Sequence, residues 1–250
     1  MGQRLGQHFL HRPSVLKRIA EAVCPQSCDR IIEIGAGKGA LTEYLLQRAR
    51  QVIAIELDPP LAEHLRARFA GDPRLTIEQA DVLATDLSRW GQAAVAGNLP
   101  YYITSPVIAR VLQLGNLLER AVVLVQREVA ARLTAKPGSR DYGYLSVQTQ
   151  AFADAEVLFN VPRGAFTPPP DVESAIVRLK PNAAVDPDAL QPFLRFASAC
   201  FRQKRKTLRN NLLALYSRDA LEGLPEGGLR AEQLSIEQLQ ALWRTLSGQP

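Results

Sequence analysis

The sequence predicts an α/β protein with a doubly wound, mostly parallel sheet, followed by a small all-helical domain. Short runs rich in β-branched residues alternate with longer amphipathic stretches, as expected when helices cover both faces of such a sheet. A Pro-rich loop interrupts this alternation, and the chain beyond residue 182 shows only helical periodicity. We therefore expect two domains, residues 1–182 and residues 183–250.

Seven segments are predicted as strands because they are short, apolar and bounded by turn residues. They are Arg30–Ile34, Val52–Glu56, Leu75–Gln79, Ala94–Gly97, Ala121–Gln126, Glu156–Val161 and Ser174–Leu179. Amphipathic periodicity predicts helices between them, at Ser14–Val23, Ala40–Arg48, Pro60–Phe69, Pro106–Leu114, Arg127–Leu133 and Tyr144–Phe152. The same periodicity predicts three helices in the tail, at Asp188–Phe201, Gln203–Tyr216 and Ile236–Leu246.

The last two predicted strands are joined by the Pro-rich segment PRGAFTPPPDVES. Parallel neighbours need a crossover of about a dozen residues or more, usually a helix. The segment has no room for one, so these two strands are expected to pair antiparallel. Seven strands with one antiparallel strand match, by analogy of fold, the Rossmann-like sheet of class I S-adenosylmethionine-dependent methyltransferases.

Composition limits the class of protein. The chain has 250 residues, of which 46% are hydrophobic and 22% charged, as in soluble domains. No apolar run approaches the roughly 18–20 residues of a membrane span, and a signal-peptide core is missing, so we expect a cytoplasmic protein without a membrane partner. Cys24, Cys28 and Cys200 match no zinc spacing and are expected to be reduced or buried thiols, which leaves no predicted metal site.

Positive charge is concentrated in the tail. The formal net charge is +5, and five basic residues lie within eight positions: Arg202, Lys204, Arg205, Lys206 and Arg209. Such a run is often only the solvated face of a helix. Together with the nucleotide-binding features described next, it predicts contact with nucleic acid.

A Gly-rich turn follows the first predicted strand. Gly35, Gly37 and Gly39 form the pattern GxGxG, which allows a tight turn and a close approach of the backbone to a ligand. Glu56 ends the next predicted strand, 17 residues later (56 − 39). An acid in that position accepts hydrogen bonds from ribose hydroxyls. The pattern predicts a nucleoside-containing cofactor.

Two further acids favour S-adenosylmethionine over a nicotinamide dinucleotide. Dinucleotide oxidoreductases use GxGxxG, in which the helix N-terminus holds a pyrophosphate. Here Glu33 lies two residues before the turn, where its carboxylate would repel a pyrophosphate but suits an ammonium and a sulfonium. Asp81 follows the third predicted strand and can accept a hydrogen bond from an adenine amino group.

The segment NLPY ends the fourth predicted strand, at the edge where open α/β sheets bind ligands. The Asn98 side-chain oxygen and the Leu99 carbonyl can each accept one hydrogen of an exocyclic adenine amino group. Pro100 fixes the turn, and Tyr101 offers a flat face for the base. Phe166, in the Pro-rich loop, is the candidate for the opposite face. The segment predicts methyl transfer to an adenine that is flipped out of its stack.

Nine segments carry a resemblance to a known family: GQHFL, EIGAGKGALT, AIELD, QADVL, GNLPYYIT, VQREVAARL, YGYLSV, AFTPPPDVESAIVRL and FRQKRKTLRNNL. In these segments the chain resembles the KsgA-type small-subunit (16S) ribosomal RNA adenine N6,N6-dimethyltransferases. The resemblance implies that two methyl groups pass from S-adenosyl-L-methionine to each of two adjacent adenosines near the 3′ end of that RNA. It also implies a role in small-subunit biogenesis, with a 30S pre-ribosomal particle as partner and the helical domain binding rRNA. We expect a monomer.

The resemblance also implies roles for individual residues. Cofactor contacts are implied at His8, Leu10, Gly35, Glu56, Asp81 and Asn98, beside Glu33 and Gly37 of the turn. The segment QHFL is implied to form a lid over the methionine moiety. The chain departs from the family at two positions, since many members carry Asn where His8 and Tyr102 stand.

Two alternatives stay open at this point. The large-subunit rRNA adenine methyltransferases that confer macrolide resistance share the cofactor pattern and an N-[LI]-P-Y motif, although the FRQKRKTLRNNL tail favours the small-subunit group. A non-catalytic ribosome- or transcription-associated binding protein on the same fold is the other alternative. The intact Gly35, Glu56, Asp81 and Asn98 argue against it.

Overall fold

The computed structural model of the protein describes residues 8–182 and 187–248. Its strands are β1 (Phe9–Leu10), β2 (Cys28–Ile34), β3 (Ala49–Glu56), β4 (Leu75–Gln79), β5 (Ala93–Asn98), β6 (Leu118–Gln126), β7 (Ala153–Val161), β8 (Phe166–Thr167) and β9 (Ser174–Pro181). Its α-helices are α1 (Pro13–Val23), α2 (Ala40–Leu46), α3 (Pro59–Arg68), α4 (Thr104–Leu112), α5 (Arg127–Leu133), α6 (Tyr144–Gln150), α7 (Pro187–Cys200), α8 (Leu208–Leu212), α9 (Arg218–Glu222) and α10 (Ile236–Ser247).

Seven strands form one sheet in the order β4-β3-β2-β5-β6-β9-β7. Strands β2 to β6 are parallel to one another, whereas β9 runs antiparallel to both β6 and β7. The predicted fold class and the antiparallel pairing of the last two strands are confirmed. Because β2, β3 and β5 are parallel, the loops that follow them meet at one edge of the sheet.

Successive side chains of a strand point to opposite faces of the sheet, so neighbouring residues pack into two different cores. Ile31 belongs to the cluster beneath α1 and α2, whereas Ile32 belongs to the cluster on the opposite face. That second cluster includes Val177 of β9 and continues without a break to Phe193 of α7 and Leu242 of α10. The predicted boundary near residue 182 falls between β9 and α7, and the division into two domains stays a prediction.

One predicted helix is wrong. The segment Gln203–Tyr216 contains only the short helix α8, and residues 202–206 form turns. The buried side chain of Asn211 explains the break: its Oδ1 accepts a hydrogen bond from the Gln203 N–H at 3.1 Å, and its Nδ2 donates to the Cys200 carbonyl at 2.8 Å. Because these bonds satisfy backbone groups at the end of α7, the chain turns there instead of continuing as a helix.

The expectation for the cysteines is corrected in part. Cys24 and Cys28 are joined by a disulfide between the end of α1 and the start of β2, with Cα atoms 5.9 Å apart, within the range that a disulfide spans. The turn between these elements brings both cysteines together, which their spacing alone did not indicate. Cys200 is a free, buried thiol, and burial raises its pKa to about 12. Within the described ranges, no helix is long and apolar enough to cross a membrane.

Candidate active site

A cavity opens at the edge of the sheet where β2, β3 and β5 end. Its wall comes from the Gly-rich turn, the loops that follow β3, β4 and β5, and the strap His8–Leu10 that crosses the opening. This is the position at which open α/β sheets bind their ligands. With the exception of Phe166 and the basic cluster, the structure brings all predicted site residues to this one cavity.

The Gly-rich turn is held close to the acid that follows it in the next strand. Gly37 has a φ of 57°, in the left-handed region that side chains disfavour. Its N–H donates to Glu56 Oε2 at 2.8 Å, and a Cβ at this position would lie 3.2 Å from the Phe9 ring. Phe9 of the strap therefore closes directly over the turn, and a side chain at position 37 would push it away.

Glu56 ends β3 and is almost fully buried, with 5% of its surface exposed. Oε2 accepts from Gly37, and Oε1 accepts from the Asp58 N–H at 2.9 Å. These bonds fix the plane of the carboxylate. Each oxygen keeps a further lone pair, so the group can accept a pair of neighbouring hydroxyls such as those of a ribose.

Glu33 is buried at the base of the cavity and accepts a hydrogen bond from Thr42 Oγ1 at 2.6 Å. Burial, reinforced by the nearby charge of Glu56, raises the pKa of Glu33 to about 8. Without a bound cation, the side chain is therefore largely protonated at neutral pH. A cation bound beside it would favour the ionised form.

This raised pKa makes the ligand-free protein less stable as pH rises. Between about pH 4.5 and 8 the folded state keeps a proton on Glu33 that the unfolded state has released, so the free energy of unfolding falls across that window, by roughly a few kcal/mol in total. Glu33→Gln cannot ionise, and its stability relative to the wild type should rise from pH 5 to pH 8 and then level off. Urea unfolding at several pH values measures this difference, and a constant difference would contradict the raised pKa.

The third acid, Asp81, lies two residues beyond β4 at the rim of the cavity, where its Oδ1 accepts a hydrogen bond from the Leu83 N–H at 2.9 Å.

Two apolar residues of the cavity wall were not predicted from the sequence. Leu57 exposes 48% of its surface although it follows a buried strand, and Val82 lies next to Asp81. Leu57 directly follows Glu56, and Val82 directly follows Asp81. Their places next to these predicted acids could have identified them as residues of the site.

Asn98, at the end of β5, is anchored to the strap. Its Nδ2 donates to the His8 carbonyl oxygen at 3.0 Å. Because a carbonyl can only accept, this contact fixes which way the amide faces and leaves Oδ1 as the free acceptor. The strap thus orients the side chain that was predicted to receive an amino hydrogen.

The backbone after Asn98 supplies a second acceptor. The Leu99 N–H donates to the Leu124 carbonyl at 3.2 Å, and the Pro100 carbonyl accepts from the Ile103 N–H at 3.1 Å. No hydrogen bond to the Leu99 carbonyl occurs within residues 8–182 and 187–248. The carbonyl that sequence reasoning selected is therefore unpaired among the described residues.

Tyr101 forms the next part of the wall. Its hydroxyl shares a 2.7 Å hydrogen bond with the buried Ser174 Oγ, and burial raises the pKa of the phenol, which keeps it neutral. The His8 ring lies against the Tyr101 ring, with centroids 5.8 Å apart, and its Nδ1 is 2.8 Å from the Pro168 carbonyl oxygen. Contact of the His8 ring with a methionine moiety stays a prediction. Ser174 is 73 residues from Tyr101, and the sequence offered no signal for their pairing.

Phe166 is not part of the cavity wall. It lies in β8, opposite Leu10 of β1, and only 2% of its surface is exposed. Its ring belongs to the cluster beneath α1 and α2. To cover the second face of a base, the Phe166 ring would have to move from this buried position, and that role stays a prediction.

The basic cluster is exposed to solvent. Arg202, Lys204, Arg205, Lys206 and Arg209 are all exposed, on the turn after α7 and on α8. Lys204 Nζ donates to the Arg140 carbonyl at 2.7 Å and lies 3.8 Å from Glu232. In the described part of the chain, Arg202, Arg205 and Lys206 have no acidic partner within 4.0 Å.

Known proteins are similar to this chain in sequence and in fold over almost their whole length. Residues 2–246 match the family of ribosomal RNA adenine dimethylases. A ribosomal RNA small subunit methyltransferase A from Acidobacterium capsulatum is 47% identical over 97% of this chain and 90% of its own.

Two solved structures are similar as well. The dimethyladenosine transferase from Plasmodium falciparum has a TM-score of 0.80 at 28% identity, covering 94% of this chain and 96% of its own. The 23S rRNA methyltransferase ErmE has a TM-score of 0.73 at 32% identity, covering 96% and 99%. These similarities confirm the class I methyltransferase fold and the resemblance found in the sequence. The chain belongs to the ribosomal RNA adenine dimethylase family.

Proposed function

We propose that the protein is an S-adenosyl-L-methionine-dependent enzyme that dimethylates N6 of two adjacent adenosines near the 3′ end of 16S rRNA. The observation that carries this proposal is the anchoring of Asn98, which lines the cavity and donates its Nδ2 to the His8 carbonyl, so that Oδ1 is left to accept a hydrogen bond. An acceptor pair beside an aromatic ring suits an adenine amino group. The name of the Acidobacterium capsulatum relative supports the small subunit as target.

The acceptor pair explains how a weak nucleophile could react. The lone pair of the adenine amino nitrogen is delocalised into the ring. Hydrogen bonds from its two N–H groups to Asn98 Oδ1 and the Leu99 carbonyl would localise that lone pair and direct it into the cavity. S-adenosyl-L-methionine, when bound, supplies the methyl group from its sulfonium. The transfer would leave a positive charge on the amino nitrogen, and one of its protons would then pass to solvent. Asn98 Oδ1 and the Leu99 carbonyl would hold the amino group in place meanwhile.

The residues of the cavity fit this cofactor. Glu56 would accept the ribose hydroxyls, Asp81 the adenine amino group, and Glu33 would face the ammonium. Burial raises the pKa of Glu33, and an ammonium bound beside it would favour the ionised carboxylate. Gly35 and Gly37 allow the close approach of the backbone, and Leu10 of the strap, 5% exposed, covers the opening.

Labelled cofactor distinguishes the two branches of the family. The protein is incubated with methyl-labelled S-adenosyl-L-methionine and undermethylated 30S or 50S particles, and labelled nucleosides are mapped by mass spectrometry. We expect N6,N6-dimethyladenosine at two adjacent positions of 16S rRNA. Label in 50S particles alone would assign the protein to the large-subunit branch, and label in neither would contradict methyl transfer to ribosomal RNA.

The exposed basic cluster supports the further proposal that residues 183–250 bind rRNA within a 30S pre-ribosomal particle, with the protein acting as a monomer. Arg202, Arg205 and Lys206 are available to phosphates because they lack acidic partners among the described residues. Phosphate contacts of this kind release counterions, which makes affinity depend strongly on salt.

Neutralising part of this cluster should weaken RNA binding. For the combined variant Lys204→Gln, Arg205→Gln and Lys206→Gln, the slope of log affinity against log salt should become shallower by about 2 to 3. A control variant neutralises Arg50, Arg66 and Lys180, which are also exposed but belong to β3, α3 and β9. Filter binding of undermethylated 30S particles at several salt concentrations measures both slopes. Equal slopes for the two variants would contradict this role.

A further inference from the structure

Tyr102 is an aromatic side chain without a partner at the mouth of the cavity. Its exposed fraction is 61%, although it directly follows the buried or half-buried residues of the NLPY segment and lines the same cavity. It makes no hydrogen bond or ring contact to any residue that the structure describes. Its neighbour Tyr101 contrasts with it, since Ser174 and His8 hold that ring in place.

Tyr102 would lie close to an RNA whose target base enters the cavity, because it lines that cavity and is exposed. If Tyr101 contacts the target adenine, the next residue lies one Cα spacing of about 3.8 Å further towards the mouth. A flipped base leaves its neighbour in the RNA without a stacking partner on one face. An exposed phenol ring at the mouth can replace that lost stacking, because every base offers a π face to an aromatic side chain.

We propose that Tyr102 binds the nucleotide next to the target adenosine by stacking its ring on that base. The proposal rests on the proposed function, which supplies the target base in the cavity. It adds a second base subsite, outside the cavity, which takes the neighbouring purine of the adenosine pair. The Tyr102 ring is flat and apolar, has a free edge and contacts neither core cluster. Such a ring suits a base as its ligand better than a phosphate, because a phosphate would require a cation.

Two substitutions separate this role from a structural one. Tyr102→Ala should raise KM for undermethylated 30S particles about tenfold, the usual effect of losing one base–aromatic stack, and change kcat far less. Tyr102→Phe keeps the ring and should retain the wild-type KM. Because Tyr102 is mostly exposed, both variants should unfold at the wild-type temperature, and their Kd for S-adenosyl-L-methionine should change far less than the KM of Tyr102→Ala for 30S particles. A wild-type KM for Tyr102→Ala would overturn the proposal.

A substrate change tests the contact itself. Particles are reconstituted with 16S rRNA in which the nucleotide on either side of one target adenosine is abasic. For the wild type, removal of the base that stacks on Tyr102 should raise KM about tenfold, whereas Tyr102→Ala should show no further rise on that particle. Independent, multiplicative effects of the two changes would overturn the proposal. Failure of the wild type to methylate any 30S particle would instead contradict the proposed function.

Discussion

Replacing Asn98 with alanine should lower kcat for methyl transfer by about 10² to 10⁴-fold. The substitution removes the Oδ1 acceptor and also the Nδ2 donor that ties β5 to the His8 carbonyl. The amino group of the target would then lose the hydrogen bond that localises its lone pair, and the strap would lose one of its anchors. Single-turnover measurement with labelled cofactor and undermethylated 30S particles gives the rate directly.

Two controls separate chemistry from folding and binding. Asn182→Ala deletes another side-chain amide, which donates to the Gln150 carbonyl at 3.3 Å beyond the end of β9, and should leave the rate unchanged. In Asn98→Ala, the Kd for S-adenosyl-L-methionine should rise far less than kcat falls. Normal turnover by this variant would refute the role of the acceptor pair.

Replacing Glu56 with alanine should raise the Kd for S-adenosyl-L-methionine by about 10²-fold or more, since hydrogen bonds to charged groups contribute about 1.5–3 kcal/mol each. The change also leaves the Gly37 and Asp58 N–H groups without their acceptor. We therefore expect an additional loss of about 1–3 kcal/mol in the free energy of unfolding. Isothermal titration calorimetry and urea unfolding measure the two effects.

Matched variants show whether the charge or the acceptor matters at this position. Glu56→Gln keeps one acceptor but turns an N–H towards a backbone donor, so its cofactor affinity should lie between those of the wild type and Glu56→Ala. Glu128→Ala removes a surface partner of Arg132 on α5 and should bind the cofactor normally. At saturating cofactor, Glu56→Ala should regain most of the wild-type kcat. Tight cofactor binding by Glu56→Ala would exclude the ribose contact.

The sheet and the three acids were predictable because their signals are local. Short apolar strands bounded by glycine or acidic residues identified β2 to β6, and Glu33, Glu56 and Asp81 stand at or just beyond strand ends. Contacts between distant segments were not predictable. The pairing of Tyr101 with Ser174 joins residues that share no pattern, and Thr42 meets Glu33 only because α2 folds back over β2.

Helical periodicity gave a wrong prediction at the basic cluster, because the spacing of apolar residues fits a helix over residues 203–216 that the structure does not contain. The side chain of Asn211 binds backbone groups of residues 200 and 203, and such tertiary hydrogen bonds override local propensity. The disulfide was missed for a related reason, since cysteine spacing says nothing about whether a turn brings two Cα atoms within range.

The short ladder between β1 and β8 links two segments with different tasks. Phe9 pairs with Thr167 and Leu10 with Phe166, and the His8 ring reaches the Pro168 carbonyl, 160 residues away in sequence. A shift of the strap would therefore carry the loop with Phe166 along. If S-adenosyl-L-methionine binds beneath the strap and a base binds beside that loop, filling one site should change the free energy of filling the other, and such linkage is reciprocal. We therefore expect RNA affinity to differ when it is measured with and without a cofactor analogue.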